Sequence, residues 1–390
     1  MGNMRVFWKY SFYILGIFLI LANIFLVFYT YPISGFDFKV YCASMEALEN
    51  SKSPYGDMAE FGVVTPYTYP PLTLPFFIIS CLTNWKFFYT IFWTVLLIAI
   101  FILMSFIGKS FNFYSLILLL TAFAATLSNY YTGNIGIIEL LFFAFASLAI
   151  FENYNRIGGI LFALLGFIKL VPLIFVLPFL IVPRNLFDKK MFIMSYTIAL
   201  LVLVLLSFTF YPILSLDYAS MVLNKAENQE TTFVHPAFAI GFNEIAENYK
   251  AVVNPSISFF IQYFTLFVLV SILFILYRKN NPVKFKKQAF FAIVGIMILL
   301  PRLMPYSFVF SIIPIYYLTR LWSFKLKTIV LILVSLIPLM IKISRKINLL
   351  DTTNVFINLS PSIILFLVLC FIFLITRKSN NSEKLRLNSK

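Results

Sequence analysis

Apolar runs of roughly 18 to 25 residues recur along the whole chain, each long enough to cross a hydrocarbon core about 30 Å thick. Backbone polar groups in lipid must be satisfied within the protein, and runs of this length do that as helices. The alternating pattern of a membrane β-barrel strand is absent. Of the 390 residues, 61% are hydrophobic and 12% charged, against about 25% charged in a soluble domain. The expected fold is therefore all-α, a polytopic membrane protein forming a single integral membrane domain over residues 1–390.

About 12 spans are expected, at 8–31, 69–83, 87–108, 112–130, 135–152, 157–183, 191–212, 257–277, 288–303, 305–322, 327–342 and 358–376. The first, Trp8 to Tyr31, is too long for a signal-peptide core and no small-residue cleavage site follows it. The formal charge of +15 does not call for nucleic acid. Its basic residues sit in short segments between spans, such as Arg278, Lys279, Lys284, Lys286 and Lys287, and in the tail 377–390. Counting alternately from a cytoplasmic N-terminus places these segments inside, which is the positive-inside pattern. Both termini are then cytoplasmic, as expected for a bacterial inner (plasma) membrane protein. Two spans fit less well: 69–83 is short, and 157–183 also reads as two half-helices hinged near Pro172.

Two long segments, 32–68 and 213–256, fall on the extracytoplasmic side of that count. Long polar segments on a rigid scaffold are where sites are commonly built. In the first, the stretch from Asp37 to Asn50 has the pattern of a short amphipathic helix, with Val40, Ala43, Ala47 and Leu48 on one face. Asp37 reads either as the N-cap of that helix or as a general base at the membrane rim, and the two roles are compatible. Prolines and tyrosines at Pro54-Tyr55 and Tyr69-Pro70-Pro71 suit a helix start and an interfacial aromatic belt. Aromatic residues around an aspartate also suit a sugar-binding surface.

Ionisable residues in apolar surroundings are functional candidates, because burying a charge there costs about 2.5–3.5 kcal/mol. Glu139, Lys169 and Arg302 meet that description. Lys169 reads as a partner of Glu139 or as a contact for lipid phosphate. Arg302, between Pro301 and Pro305, suits a bidentate phosphate clamp. His235 is the one histidine and lacks a partner at metal-ligand spacing. Cys42, Cys81 and Cys370 fall in unrelated segments, pointing to neither a disulfide framework nor a metal site. No metal or cofactor is expected.

The order of several segments resembles glycosyltransferase family 87, polyprenol-phosphate-dependent transferases of the GT-C membrane fold. The matching residues are Asp37 with Tyr41, Pro54-Tyr55, Tyr69-Pro70-Pro71-Leu72, Gly158-Gly159 leading to Ile168-Lys169-Leu170-Val171-Pro172, and Asn254-Pro255-Ser256. Where the family has a Gly-Gln-x-Asn element, this chain has Gly133-Asn134-Ile135-Gly136; where it often has a histidine after a proline, Tyr306 follows Pro305. The alternate count also places 129–134 on the cytoplasmic side, away from the expected site. The resemblance implies a GT-C-like bundle and a catalytic base at Asp37. It also implies a polyprenyl-phosphate-linked sugar donor, mannose-like by default, with a lipid or glycan acceptor. Lys39, Tyr41, Tyr55, Tyr69, Lys169, His235, Asn254, Arg302 and Tyr306 are the expected substrate contacts, with membrane lipids as surroundings. A transporter or flippase is the second reading, weakened because no inverted repeat shows and the long polar loops crowd onto one face. A structural subunit docking through those loops is the third.

Overall fold

A computed structural model of the chain describes residues 35–81, 85–109, 113–122, 125–169, 171–181, 188–227, 255–280, 284–300, 305–346 and 362–378. Regular structure among these residues is helical, as expected, with no strand. Two shorter helices come first, α1 (Phe36–Glu49) and α2 (Pro75–Cys81), and then the long α3 (Trp85–Gly108). A bent pair follows, α4 (Phe113–Thr121) and α5 (Ala125–Thr132), with 54° between them. Next are α6 (Gly136–Phe151), α7 (Asn155–Ile168), α8 (Leu177–Ile181), α9 (Lys189–Phe210) and α10 (Pro212–Glu227). The last are α11 (Pro255–Asn280), α12 (Phe285–Leu299), α13 (Val309–Thr319), α14 (Phe324–Lys346) and α15 over 362–378.

Among the described residues, Ile91–Gly108 and Lys189–Phe210 are each long and apolar enough to cross a membrane. The bent pair α4–α5 adds a third crossing if it is one span. Large apolar side chains on α9, among them Leu201, Leu205 and Phe210, are exposed, which suits a helix facing lipid rather than water.

The expected span 69–83 is not a crossing. Pro70 and Pro71 open a 3-10 turn (Pro71–Thr73), and the helix beyond it, α2, has only seven residues. The expected span 157–183 is also different, because it folds back on itself. Helix α7 ends at Ile168, Lys169 is extended, and a 3-10 segment over Val171–Val176 leads to α8. A Cβ on Gly166 would lie 2.4 Å from Leu173, and the Phe162 and Phe179 rings are 5.3 Å apart. Contacts pairing 166 with 173 and 162 with 179 define a hairpin whose tip is at Lys169. Pro172 is the physical reason, since it has no N–H to continue the α7 ladder.

The cysteine expectation is also corrected: Cys42 and Cys81 are disulfide-bonded, with 39 residues between them in sequence. The bond ties the middle of α1 to the end of α2. Tyr41 and Phe77, one helical step from it on each side, pack with ring centroids 4.2 Å apart.

Helix α6 connects the two ends of the bundle. At its C-terminus, Lys286 Nζ donates to the Phe151 carbonyl at 2.7 Å, a favourable place for a cation at a helix end. Its N-terminus is where Asp37 sits.

Candidate active site

The site is built around Asp37 in the first turn of α1. The N-cap is Gly35 in a left-handed conformation, φ 56°, so Asp37 is not the cap. Gly35 N–H donates to the Tyr131 carbonyl at 3.2 Å, which docks the start of α1 on the end of α5. Gly133 makes that approach possible: its φ is +75°, and a Cβ there would lie 2.7 Å from Phe38 Cβ. Only glycine meets both demands.

Asn134, in the turn after Gly133, holds the carboxylate. Its Nδ2 donates to Asp37 Oδ2 at 2.9 Å, while its Oδ1 accepts from the Gly136 N–H at 2.9 Å. The second bond fixes the amide so that its NH2 faces the carboxylate. Asn134 is buried, so this geometry is shielded from water. It also puts the segment before α6 on the same face as Asp37. The sidedness expected for 129–134 is thereby corrected, since removing the short second span from the count returns this turn to the Asp37 side.

Lys169 completes the group from the hairpin tip. Its Nζ lies 3.4 Å from Glu139 Oε2, with the Glu139 side chain 1% and the Lys169 side chain 18% exposed. Glu139 is in the first turn of α6, one helical turn beyond Asn134, and its Oε1 has no hydrogen-bond partner. Burial raises the Asp37 carboxyl above its ordinary value. The Asn134 N–H, the neighbouring Thr132 hydroxyl and the Lys169 charge pull it back without cancelling the rise. A carboxylate so held is more basic than a solvated one.

Beside Asp37 a cavity of about 480 Å³ runs under the hairpin, lined by Phe38, Phe77, Asn134, Ile138, Phe167 and Ile168 among others. Two further lining residues, Phe76 and Phe92, are exposed at its rim. The polar side chains of the lining are Thr73 and Asn134, the latter bonded to Asp37, so the arrangement suits a molecule with a polar head and an apolar tail.

Tyr41, Tyr55 and Tyr69 do not form an open platform. All three are buried, with Tyr67, in an aromatic frame behind Asp37. The Tyr41 and Tyr69 hydroxyls are 3.2 Å apart, Tyr55 donates to the Tyr69 carbonyl at 2.8 Å, and the Tyr67 and Thr73 hydroxyls are 2.6 Å apart. Burial pushes the Tyr41, Tyr55 and Tyr67 hydroxyls upward, Tyr41 far upward, so they stay neutral. The frame extends to α10, where Ser53 Oγ donates to Asp217 Oδ2 at 2.6 Å and the Tyr55 and Tyr218 rings lie 5.5 Å apart. Lys39 is exposed on the outer side of α1. His235, Asn254 and Arg302 lie outside the described residues, as does the side chain of Tyr306. The 3-10 turn Pro305–Phe308 that carries the Tyr306 backbone packs against α5. Among the described residues, no three of His, Cys, Asp or Glu converge as a metal-ligand set.

Asp37, Glu139 and Lys169, singled out in the sequence, lie together here; the Asn134 bond to Asp37 was not among the expectations. The signal was present in the Asx position before a helix start, two residues ahead of Gly136, where an amide caps the backbone and keeps its NH2 free to donate.

An apolar helical bundle with ionisable groups gathered at one end beside an apolar cavity is the architecture of a membrane-associated protein. The family model of glycosyltransferase family 87 matches residues 67–301, more than half of the 390 residues, and the chain belongs to that family. It is a glycosyltransferase, and so takes a sugar donor and an acceptor. No curated protein matches it.

Proposed function

We propose that the enzyme transfers a sugar, mannose-like by default, from a polyprenyl-phosphate donor to a lipid- or glycan-linked acceptor on the extracytoplasmic face. The observation that carries this reading is Asp37, held by Asn134 and facing Lys169, at the polar end of an apolar cavity. The matched stretch starts at residue 67, so Asp37 enters through its hydrogen bond to Asn134, which lies within that stretch. Family membership favours this transferase reading over passage of a lipid-linked substrate.

In the reaction, Asp37 takes the proton of the acceptor hydroxyl as its oxygen forms a bond to the anomeric carbon. The bond from that carbon to the phosphate oxygen breaks, and the polyprenyl phosphate leaves with the electron pair. A single displacement of this kind inverts the anomeric centre. General-base catalysis contributes about 10²–10⁴-fold. Lys169, and Arg302 as a phosphate clamp, balance the negative charge of the donor; Asn134 positions Asp37 and does not react. His235, Asn254, Tyr306 and Lys39 are proposed as further substrate contacts. Tyr41, Tyr55 and Tyr69 act as the frame that fixes α1.

The disulfide supports the assigned side, because such bonds persist in oxidising compartments. So does the charge distribution. The described basic residues Lys109, Lys286, Arg320 and Lys327 gather at the end of the bundle away from Asp37, as the positive-inside rule requires for a cytoplasmic face with cytoplasmic termini. The test is to offer purified enzyme in vesicles labelled sugars on polyprenyl phosphate and, separately, on nucleotides. Transfer from polyprenyl phosphate alone is expected; transfer from nucleotide sugars alone would overturn the donor assignment.

A further inference from the structure

A second cavity, of about 740 Å³, lies between α8, α11 and α12, at the end of the bundle opposite Asp37. Its walls include Leu177, Phe267, Val270, Phe274 and Leu299, and Arg278 and Lys279 stand at one end. The position follows from α11 and α12 running antiparallel across a short connection. Phe179 of α8 lies against Phe285, ring centroids 6.3 Å apart, and Lys286 next to it bonds the far end of α6.

The groove has a sequence origin. Positions 267, 270, 271, 274, 275 and 278 form one stripe of α11 at helical spacing. The two helices touch where Gly295 meets Val270; a Cβ on Gly295 would lie 2.8 Å from it. Beyond that contact, Ser271 and Ala292 are small, and the gap between the helices opens. From Phe267 to Lys279 the helix rises about 18 Å, close to half of a hydrocarbon core about 30 Å thick. A groove one leaflet long, apolar along its walls and cationic at the surface end, has the dimensions and charge of a phospholipid.

We propose that this groove binds one anionic glycerophospholipid of the leaflet opposite Asp37, its acyl chain along α11 and its phosphate on Arg278 and Lys279. No carboxylate lines the groove. The acids described near this end are engaged: Asp188 caps α9 through the Met191 N–H at 3.2 Å, and Glu152 faces Lys286. With Lys284 and Lys287 nearby in sequence, the net field at the mouth is positive, which selects anionic headgroups. The site is separate from glycosyl transfer, so it stands or falls independently of the donor assignment.

The experiment is native mass spectrometry of the delipidated full chain, titrated with phosphatidylglycerol and with phosphatidylcholine of the same acyl chains. Wild type is expected to retain phosphatidylglycerol about tenfold better, with the preference shrinking as salt is raised. The double variant Arg278→Gln, Lys279→Gln should bind the two lipids alike, and Ser271→Trp, which fills the groove, should weaken both. Equal retention of the two lipids by wild type would overturn the proposal, and that comparison needs no variant to insert. So would a preference that survives the double substitution, or displacement of phosphatidylglycerol by an equal concentration of polyprenyl phosphate.

Discussion

At the scale of single residues, Asp37 and its two neighbours make separable predictions. Because burial raises the Asp37 carboxyl, ionising it opposes folding at every pH above its unfolded value. Asp37→Asn removes that opposition and leaves the Asn134 bond an acceptor, so its melting temperature should equal or exceed that of wild type while transfer is lost. Asn134→Ala deletes a hydrogen bond that favours the charged form. The folded carboxyl then titrates higher still, and the acid limb of kcat/KM should move to higher pH; an unmoved limb would remove Asn134 from the site. Lys169 and Glu139 are a buried pair, and breaking one side of such a pair costs about 3–5 kcal/mol. Lys169→Met should therefore destabilise strongly, and adding Glu139→Gln should restore the melting temperature. Activity should stay low in the double variant if Lys169 also meets phosphate. These ionisable residues were legible because a charge in apolar sequence demands a reason. Sequence places the tyrosines near Asp37 but cannot distinguish a hydroxyl facing a sugar from one bonded to Tyr69 or Thr73, since only packing decides that.

The elements were legible where one rule acted alone. Helix α1 forms where its pattern places it, but Val40, Ala43 and Ala47 are buried together with Phe38, Tyr41 and Ser44 and Leu48 is half-buried, so packing covers more of the helix than the one face the pattern marks. Helix ends near 108, 151 and 210 fall where apolar runs stop. The hairpin at Lys169 was half visible, through Pro172, but hydropathy is blind to direction, and a continuous apolar run hides a reversal. The Cys42–Cys81 bond was invisible because its partners meet only after Pro70 and Pro71 bring α2 back beneath α1. Removing it with Cys42→Ser frees a closed loop of 39-residue separation and should cost about 2–4 kcal/mol, seen as a lower melting temperature that reductant does not lower further. Gly133→Ala places a side chain at positive φ against Phe38, a strain of about 1–3 kcal/mol. It should lower both stability and transfer, because the displaced element carries Asp37.

For the whole molecule, the charge bias and the crossing count agreed in sequence because two departures cancel. Segment 69–83 is too short a helix to count as a span and 157–183 is a hairpin, so on the revised count the basic segments after 183 stay on the same side. Between those two places the sidedness inverts, which explains why 129–134 seemed misplaced and now meets Asp37. Composition fixes a helical membrane bundle; which end holds the chemistry depends on contacts between residues 97 positions apart, such as Asp37 and Asn134.

The central claim is that Asp37 is the base for sugar transfer. The most direct test is the rate of labelled-sugar transfer from a polyprenyl-phosphate donor by wild type and Asp37→Asn, with melting temperatures measured on the same preparations. A loss of about 10²–10⁴-fold with an undiminished melting temperature is the predicted result. An Asp37→Asn enzyme that is folded and transfers at the wild-type rate would contradict the account.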